Sequence, residues 1–149
     1  MATKYFEDLE EGATFTTGGR TITETDVVNF AGVSGDYNPI HTDIEHSKKG
    51  GFGERIAHGL LGLSVASGLA GQMGLFEAVV AFLTIEWKFK GPIKFNDTIH
   101  IETVVTKKRP VRDTGWIYLG VKVVNQENKT IQEGTWCLAF KKRPTAVAA

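Results

Sequence analysis

An aspartate and a histidine five positions apart are the residues of this sequence best suited to chemistry. Asp36 and His41 stand in the run GDYNPIH, residues 35–41. Pro39 fixes its own backbone and pushes the preceding residue towards extended geometry, so we expect a stiff turn here and no regular helix. Such a turn can direct a carboxylate and an imidazole to one spot, where together they can bind, deprotonate and reprotonate one water molecule. Asp36 and His41 are therefore the candidate catalytic pair for a hydration.

A glycine further along the chain offers a complementary group. Gly59 lies in the segment AHGL, residues 57–60, where a buried helix is predicted to begin. The N–H of a residue in the first helical turn points out of the helix, and the helix dipole adds to its positive character. Such an N–H would stabilise an oxyanion on a thioester carbonyl.

Two other interpretations of these residues stay open. The first is a simple turn, in which Asp36 and Asn38 bond to their own backbone. The second is a metal site, because Asp36, His41, Asp43 and His46 are residue types that suit zinc or iron. No cysteine joins this set and its spacing matches no zinc signature, so the sequence predicts a site without a metal.

The bulk properties narrow the function classes. The chain has 149 residues, 42% hydrophobic and 23% charged, which predicts one globular domain over 1–149 with a loose tail from about 144 to 149. Basic and acidic side chains balance at 17 each, which disfavours nucleic acid as a partner. A single cysteine, Cys137, allows no internal disulfide and suits the reducing cytoplasm. The acidic start without an apolar run does not fit a signal peptide.

The first half of the chain predicts helices and a long loop. A strand within 13–22, interrupted at Gly18-Gly19, precedes a capping box at 23–26 and a helix to about residue 33 that buries Val27, Val28, Phe30 and Ala31. Residues 34–54 are polar and irregular, and a loop of this length inside a domain is typically functional.

The next helix, predicted from 58 to about 71, is apolar around nearly its whole circumference, so we expect protein on all sides. Its interruption by Gly62, Gly68 and Gly71 indicates a buried helix and no membrane span. Glycine destabilises a helix by about 1 kcal/mol relative to alanine, so these glycines predict the close approach of another backbone.

The second half of the chain alternates with period two, which is typical of strands. Strands are predicted over 82–90, 98–107, 115–124 and 131–141, with a hairpin turn at 126–129. Long antiparallel strands around one apolar helix make an α+β domain, and a sheet that curls about a single central helix is the hot-dog fold.

At this point the sequence resembles a known family. The run at 35–41 is similar to the hydratase motif of MaoC-like dehydratases, also called (R)-specific enoyl-CoA hydratases, and RIAHGLL at 55–61 resembles the family's entry into the central helix. The resemblance extends from about residue 6 to 141. It implies that Asp36 and His41 are the catalytic dyad, that Gly59 supplies the oxyanion N–H, and that Ser67 lines the site. Asn38 is placed with Gly59 and Ser67 among the substrate-binding residues, and it is expected to brace the loop and not to react.

The resemblance also implies a substrate and an assembly. Coenzyme A thioesters would bind where two subunits of a homodimer meet, with no cofactor apart from the coenzyme A carried by the substrate. The reaction would be syn hydration of a trans-2-enoyl-CoA to an (R)-3-hydroxyacyl-CoA, or its reverse. Two alternatives are a hot-dog thioesterase and a non-catalytic thioester-binding subunit. His58 is expected to be a buried structural histidine that caps the loop, with a direct chemical role as the alternative.

Overall fold

The computed structural model describes residues 3–144, so the last five residues of the predicted tail lie outside it. After a 3-10 turn at Phe6–Asp8, the helices are α1 (Glu24–Ser34), α2 (Pro39–Thr42), α3 (Ile44–Lys48) and α4 (Gly59–Gln72). The strands are β1 (Thr14–Thr16), β2 (Arg20–Thr21), β3 (Val79–Phe89), β4 (Thr98–Pro110), β5 (Thr114–Val124) and β6 (Thr130–Lys141).

The strands form one antiparallel sheet in the order β1-β4-β5-β6-β3, with β2 also paired to β4. The four long strands predicted from the period-two pattern are all present. On β4 the alternating residues Ile99, Ile101, Thr103 and Val105, which share one face of the strand, are all buried. Asn128 adopts a positive φ of 59° in the tight turn between β5 and β6, within the predicted hairpin segment. The α+β architecture predicted from the sequence is confirmed.

Helix α1 begins at the predicted capping box. The Thr23 hydroxyl accepts from the Asp26 N–H, and the Asp26 carboxylate accepts from the Thr23 N–H at 2.8 Å. Burial alone would raise the pKa of Asp26, but hydrogen bonds from Thr23 and the nearby Arg20 guanidinium outweigh it, so the pKa is lowered. The prediction that Val28 points inward is wrong: it is exposed, because only Val27 and Ala31 lie on the buried stripe of this helix.

Helix α4 packs against the sheet, but only one side of it is covered. Its apolar residues on the inner side are buried, whereas Leu60 is 58% exposed and Ser64 and Gly68 share the same open face. The expectation that protein surrounds the helix is therefore wrong within one chain. No helix in residues 3–144 is both long and apolar enough to cross a membrane.

The sequence predicts that the glycines of α4 allow the close approach of another backbone, and the structure shows no such approach within residues 3–144. A side chain at Gly62 would collide with the side chains of Ile93 and Gln132, so this glycine makes room for side chains. A side chain at Gly68 would meet open space. A Cβ at Gly71 would lie 3.7 Å from the Phe76 ring, which is an ordinary van der Waals contact.

Strand β3 lies at an edge of the sheet and carries many exposed apolar side chains, namely Val80, Phe82, Leu83, Ile85 and Phe89. It lies very close to β6 at one point. A side chain at Gly134 of β6 would overlap the backbone carbonyl of Glu86, so this approach requires glycine.

Candidate active site

The end of α1 delivers Asp36 to the site. Gly35 terminates the helix in the left-handed conformation, with φ of 76°, which redirects the chain immediately before the aspartate. One Asp36 carboxylate oxygen accepts a hydrogen bond from the Asn38 N–H at 3.1 Å. The side chain remains 52% exposed. The carboxylate is thus oriented by the loop and accessible to a small molecule.

His41 is positioned by a short helix that the sequence analysis did not expect. Proline is tolerated in the first turn of a helix because its missing N–H would have no partner there, so Pro39 starts α2. The prediction that Pro39 excludes a regular helix is therefore wrong for these four residues. Asn38 caps α2, its side chain accepting from the Ile40 N–H at 3.1 Å. This is the bracing role expected of Asn38.

The imidazole of His41 is oriented from behind. Its Nδ1 lies 2.7 Å from the Ile56 carbonyl oxygen. Because a carbonyl oxygen only accepts, Nδ1 carries the proton and Nε2 of the neutral ring carries the lone pair. Nε2 lies 3.9 Å from the Asp36 carboxylate. That separation is too long for a direct hydrogen bond, but one water with hydrogen bonds of about 2.8 Å to each atom can bridge it.

A third residue contacts both members of this pair. His58 is 2% exposed, and its ring stacks on His41 with centroids 3.8 Å apart. Its Nε2 lies 2.9 Å from the Asp36 backbone carbonyl, so Nε2 carries the proton and donates. Its Nδ1 is buried without a hydrogen-bond partner among the described residues. The sequence predicts a buried structural histidine that caps the loop, as the bond to the Asp36 carbonyl shows, but it does not indicate the stacking of His58 on His41.

The metal alternative involves a different set of residues from the one first considered. Ligand atoms of Asp36, His41 and His58 lie within 4.8 Å of one another. However, the two imidazole rings are stacked at an interplanar angle of only 29°. The lone pairs of stacked rings lie in two separate layers and do not readily converge on one ion, which is unfavourable for shared coordination. Asp43 instead caps α3 by accepting from the His46 N–H, outside this cluster.

A cavity of about 590 Å³ opens in front of His41. Its walls are mostly apolar and come from the loop before α4, the start of α4, and the segments after β3. The lining residues are His41, Phe52, Ile56, Ala57, Gly59, Leu60, Phe89, Lys90, Gly91, Pro92, Ile93 and Gln132. A cavity of this size and polarity suits an organic ligand that presents one polar group.

Gly59 lies in the wall of this cavity and is the first residue of α4. The first N–H groups of a helix have no partner within the helix. The Phe89 ring packs over Gly59 so closely that a Cβ there would lie 2.8 Å from two ring atoms. The structure therefore brings Gly59 and His41 to one cavity, with Asp36 beside His41.

Ser67 is placed differently. It lies two helical turns further along α4 than Gly59, is half-buried, and is not part of the cavity wall. Its hydroxyl donates to the Ser64 carbonyl at 2.7 Å. Within one chain the structure does not bring Ser67 to the dyad, and its role in the site stays a prediction.

The basic side chains around the cavity are paired with acids. Arg55 contacts Glu24 at 2.7 Å, Lys94 contacts Glu54 at 2.6 Å, and Lys90 contacts Glu133 at 3.0 Å. Surface pairs of this kind are worth little individually and exchange readily with other partners. Lys90 lies in the cavity wall, where it could meet an anionic part of a ligand.

One cavity residue was missed entirely. Gln132 is 1% exposed, and a polar side chain at such a position on a central strand is unusual. The signal in the sequence was weak: a glutamine beside Ile131 at the start of a strand that is otherwise apolar on the same face.

Comparisons with known proteins give the family of this chain. The family model for the MaoC-like domain matches residues 8–127. The chain is 35% identical over 102 residues to the (R)-specific enoyl-CoA hydratase of Rhodospirillum rubrum, covering 68% of this chain and 69% of that enzyme. It is 34% identical over 108 residues to the 3-hydroxybutyryl-CoA dehydratase of Methylorubrum extorquens, covering 72% and 68%. A match to protein MaoC of Klebsiella aerogenes, at 36% identity, covers 70% of this chain but only 31% of that protein.

Solved structures give the same picture. The R-hydratase PhaJ1 from Pseudomonas aeruginosa superposes with a TM-score of 0.81 at 26% identity, covering 97% of this chain and 96% of that one. Rv0216 from Mycobacterium tuberculosis, described as a double hot-dog fold, gives 0.83 at 20% identity, covering 99% of this chain and 47% of that one. The predicted hot-dog fold is confirmed.

Proposed function

Because this chain belongs to the MaoC-like dehydratase family and is thus an enzyme of the hydro-lyase class, we propose that it reversibly hydrates trans-2-enoyl-CoA to (R)-3-hydroxyacyl-CoA. The observation that carries the proposal is the 3.9 Å separation of His41 Nε2 and the Asp36 carboxylate beside an apolar cavity. The proposal needs no cofactor, since coenzyme A is part of the substrate.

The dyad holds the reacting water between its two members. His41 Nε2 and the Asp36 carboxylate each accept a hydrogen bond from the water, and the pair removes one of its protons while the other stays on the oxygen that becomes the hydroxyl. Because both groups act on one water, they titrate as a pair, and the proposal assigns the acid and base roles to the pair as a whole. The contact between His41 Nδ1 and the Ile56 carbonyl keeps the ring in the tautomer that this requires.

The bonds and charges balance as follows. The water oxygen forms a bond to the β-carbon and loses a proton to the dyad. The electron pair of the double bond moves towards the thioester carbonyl, whose developing oxyanion accepts from the Gly59 N–H. The enolate then takes a proton from the dyad at the α-carbon. Hydroxyl and proton are delivered from one side, so the addition is syn.

We further propose that the active unit is a homodimer in the cytoplasm. The edge strand β3 exposes apolar side chains along its length, and the open face of α4 begins at Leu60. Unpaired strand edges of this length invite pairing with another chain. A second copy could cover both surfaces and close the cavity, which lies next to Phe89 at the end of β3. Cys137 is buried and free, as a reducing compartment allows.

Incubation with crotonyl-CoA tests the reaction. Loss of the enoyl absorbance without thiol release is the expected result. Release of free coenzyme A at the rate of substrate loss would instead establish the thioesterase, and no change in either would leave only thioester binding. A panel of enoyl-CoAs of increasing length, with branched and dicarboxylic members, would then define the substrate, and sedimentation would measure the oligomeric state.

A further inference from the structure

A buried glutamine links the edge strand of the sheet to the residue proposed to bind the oxyanion. The Gln132 side-chain amide donates to the Gly59 carbonyl at 2.9 Å, and its oxygen accepts from the Trp87 indole N–H at 3.1 Å. Three elements therefore meet at one side chain: α4 through Gly59, β6 through Gln132, and β3 through Trp87.

The arrangement is highly specific. Gln132 is 1% exposed, so leaving either end of its amide without a partner would carry an uncompensated desolvation penalty. Both ends have partners in the structure. The amide also occupies the space that a side chain at Gly62 would take, since a Cβ there would lie 2.6 Å from its nitrogen. The glutamine is thus fixed by hydrogen bonds at its two ends and by the helix backbone beside it.

Its partner Gly59 is held from two directions. Gln132 bonds to the carbonyl of Gly59, and Phe89, which lies opposite Gln132 in the β3–β6 register, packs its ring over the Gly59 Cα. Glycine has no side chain of its own to fix its backbone orientation, and it is the most permissive residue in its φ and ψ angles. The Gly59 N–H lies in the peptide plane before the Cα and the Gly59 carbonyl in the plane after it, so a hold on the carbonyl acts on the N–H through the φ and ψ angles of Gly59.

We propose that Gln132 is a positioning residue, which aims the Gly59 N–H at the thioester oxygen by holding the Gly59 carbonyl. This inference rests on the proposed function of Gly59. An oxyanion donor works only when it is preorganised, and removing one such donor entirely lowers kcat by about 10²–10³-fold. Releasing the donor from its support while leaving it in place should have a smaller effect.

The test compares Gln132→Met, which keeps the length and removes both hydrogen bonds, with the wild-type chain. We expect kcat on crotonyl-CoA to fall by about tenfold, which is a smaller decrease than removal of the whole donor would cause. The dissociation constant of butyryl-CoA, which is saturated and cannot be hydrated, should stay within about twofold, because the Gly59 N–H contributes mainly to the transition state. Ile117→Val, a buried change on β5 remote from the site, is the control for lost stability.

A second measurement does not depend on catalysis. The amide resonance of Gly59 in ¹⁵N-labelled full-length protein should shift and exchange faster with solvent in Gln132→Met. It should change in the same direction, and less, in Trp87→Phe, which removes only the outer hydrogen bond and serves if the first variant does not fold. If the wild type hydrates no enoyl-CoA, the proposed function fails, but the amide measurement still tests the hold on Gly59.

Three results would overturn the inference. The first is an unchanged Gly59 resonance in a folded variant. The second is a kcat within about twofold of wild type in Gln132→Met, since a lost support must cost transition-state binding. The third is a fall in kcat that Ile117→Val reproduces at equal thermal stability, which would show that Gln132 acts only through packing.

Discussion

His41 presents Nε2 to the Asp36 carboxylate across 3.9 Å while the Ile56 carbonyl holds its Nδ1 at 2.7 Å. The Ile56 carbonyl, in the loop before α4, therefore sets the tautomer of the His41 imidazole. The other nitrogen of that ring faces the Asp36 carboxylate, in the loop after α1. Neither group needs to move to share a water molecule. This relationship leads directly to the expected behaviour of the dyad variants.

Asp36→Ala and His41→Ala should each lower hydration of crotonyl-CoA by about 10²–10⁴-fold, the usual contribution of a positioned acid or base. The double variant should be scarcely worse than either single one, because both groups act on one water. Steady-state kinetics of the four proteins measure this coupling. Losses that multiply would show that the two residues do not work as a unit.

Activity should survive dialysis against a strong chelator. The rings of His41 and His58 are stacked, so their lone pairs lie in two separate layers, which is unfavourable for a shared ion. The rate with crotonyl-CoA before and after chelation is the measurement. A loss that zinc or iron restores would contradict the prediction and make Asp36, His41 and His58 the candidate ligands.

Gly59→Ala should destabilise the fold by about 1–3 kcal/mol, the typical effect of overpacking, because the new methyl group would meet the Phe89 ring. The Phe89→Ala background removes that collision, so Gly59→Ala should lower the free energy of unfolding much less in that background. Denaturant unfolding of the four chains gives the coupling. An equal loss in both backgrounds would show that the ring simply swings aside.

The cap of α1 predicts a dependence of stability on pH. Thr23→Ala should lower the free energy of unfolding at neutral pH by about 1 kcal/mol. Because the pKa of Asp26 is lowered in the folded state, its contribution is present above the ordinary value of 3.8 and is lost as the pH falls through the lower folded-state pKa. Asp26→Asn should therefore be less stable than wild type at neutral pH and approach it in acid. A difference that persists at low pH would point to the hydrogen bonds and not to the charge.

The stereochemistry of the product tests the one-water geometry. Hydroxyl and proton should reach the same face of crotonyl-CoA, giving the (R)-3-hydroxy product by syn addition. Chiral chromatography of the hydrolysed product measures the first property, and the relative configuration after reaction in deuterated water measures the second. An anti product would require acid and base on opposite faces, and predominantly (S) product would mean that the dyad faces the other side of the alkene.

The elements with strong periodicity could be predicted from the sequence, and those fixed by single contacts could not. The four long strands and α4 follow from apolar spacing, and the α1 cap follows from Thr23 and Asp26. The short helix α2 was missed because Pro39 was taken to exclude a helix. Proline disrupts helix interiors, but it is tolerated in the first turn. Each of these outcomes reflects local chemistry.

For the site, the sequence indicated the loop residues and a buried His58 that caps the loop, but it missed Gln132. Asp36, His41 and Gly59 were nominated by residue type and by family resemblance. His58 and Gln132 contact them only through the tertiary fold, across 22 and 73 positions respectively. No spacing rule connects residues so far apart in the chain. The exposed face of α4 could not be predicted either, because it depends on which elements pack beside the helix.

Gly134 is a vulnerable position outside the wall of the cavity that His41 and Gly59 line. Its missing side chain lets β6 lie against the backbone of Glu86, next to Trp87 in β3. Any larger residue there must displace this edge strand, which carries both Trp87 and Phe89, and so reshape the surroundings of Gly59. In a saturation mutagenesis experiment, an enzyme-inactivating substitution at this glycine would therefore be a steric lesion transmitted through the sheet, with the reacting groups intact.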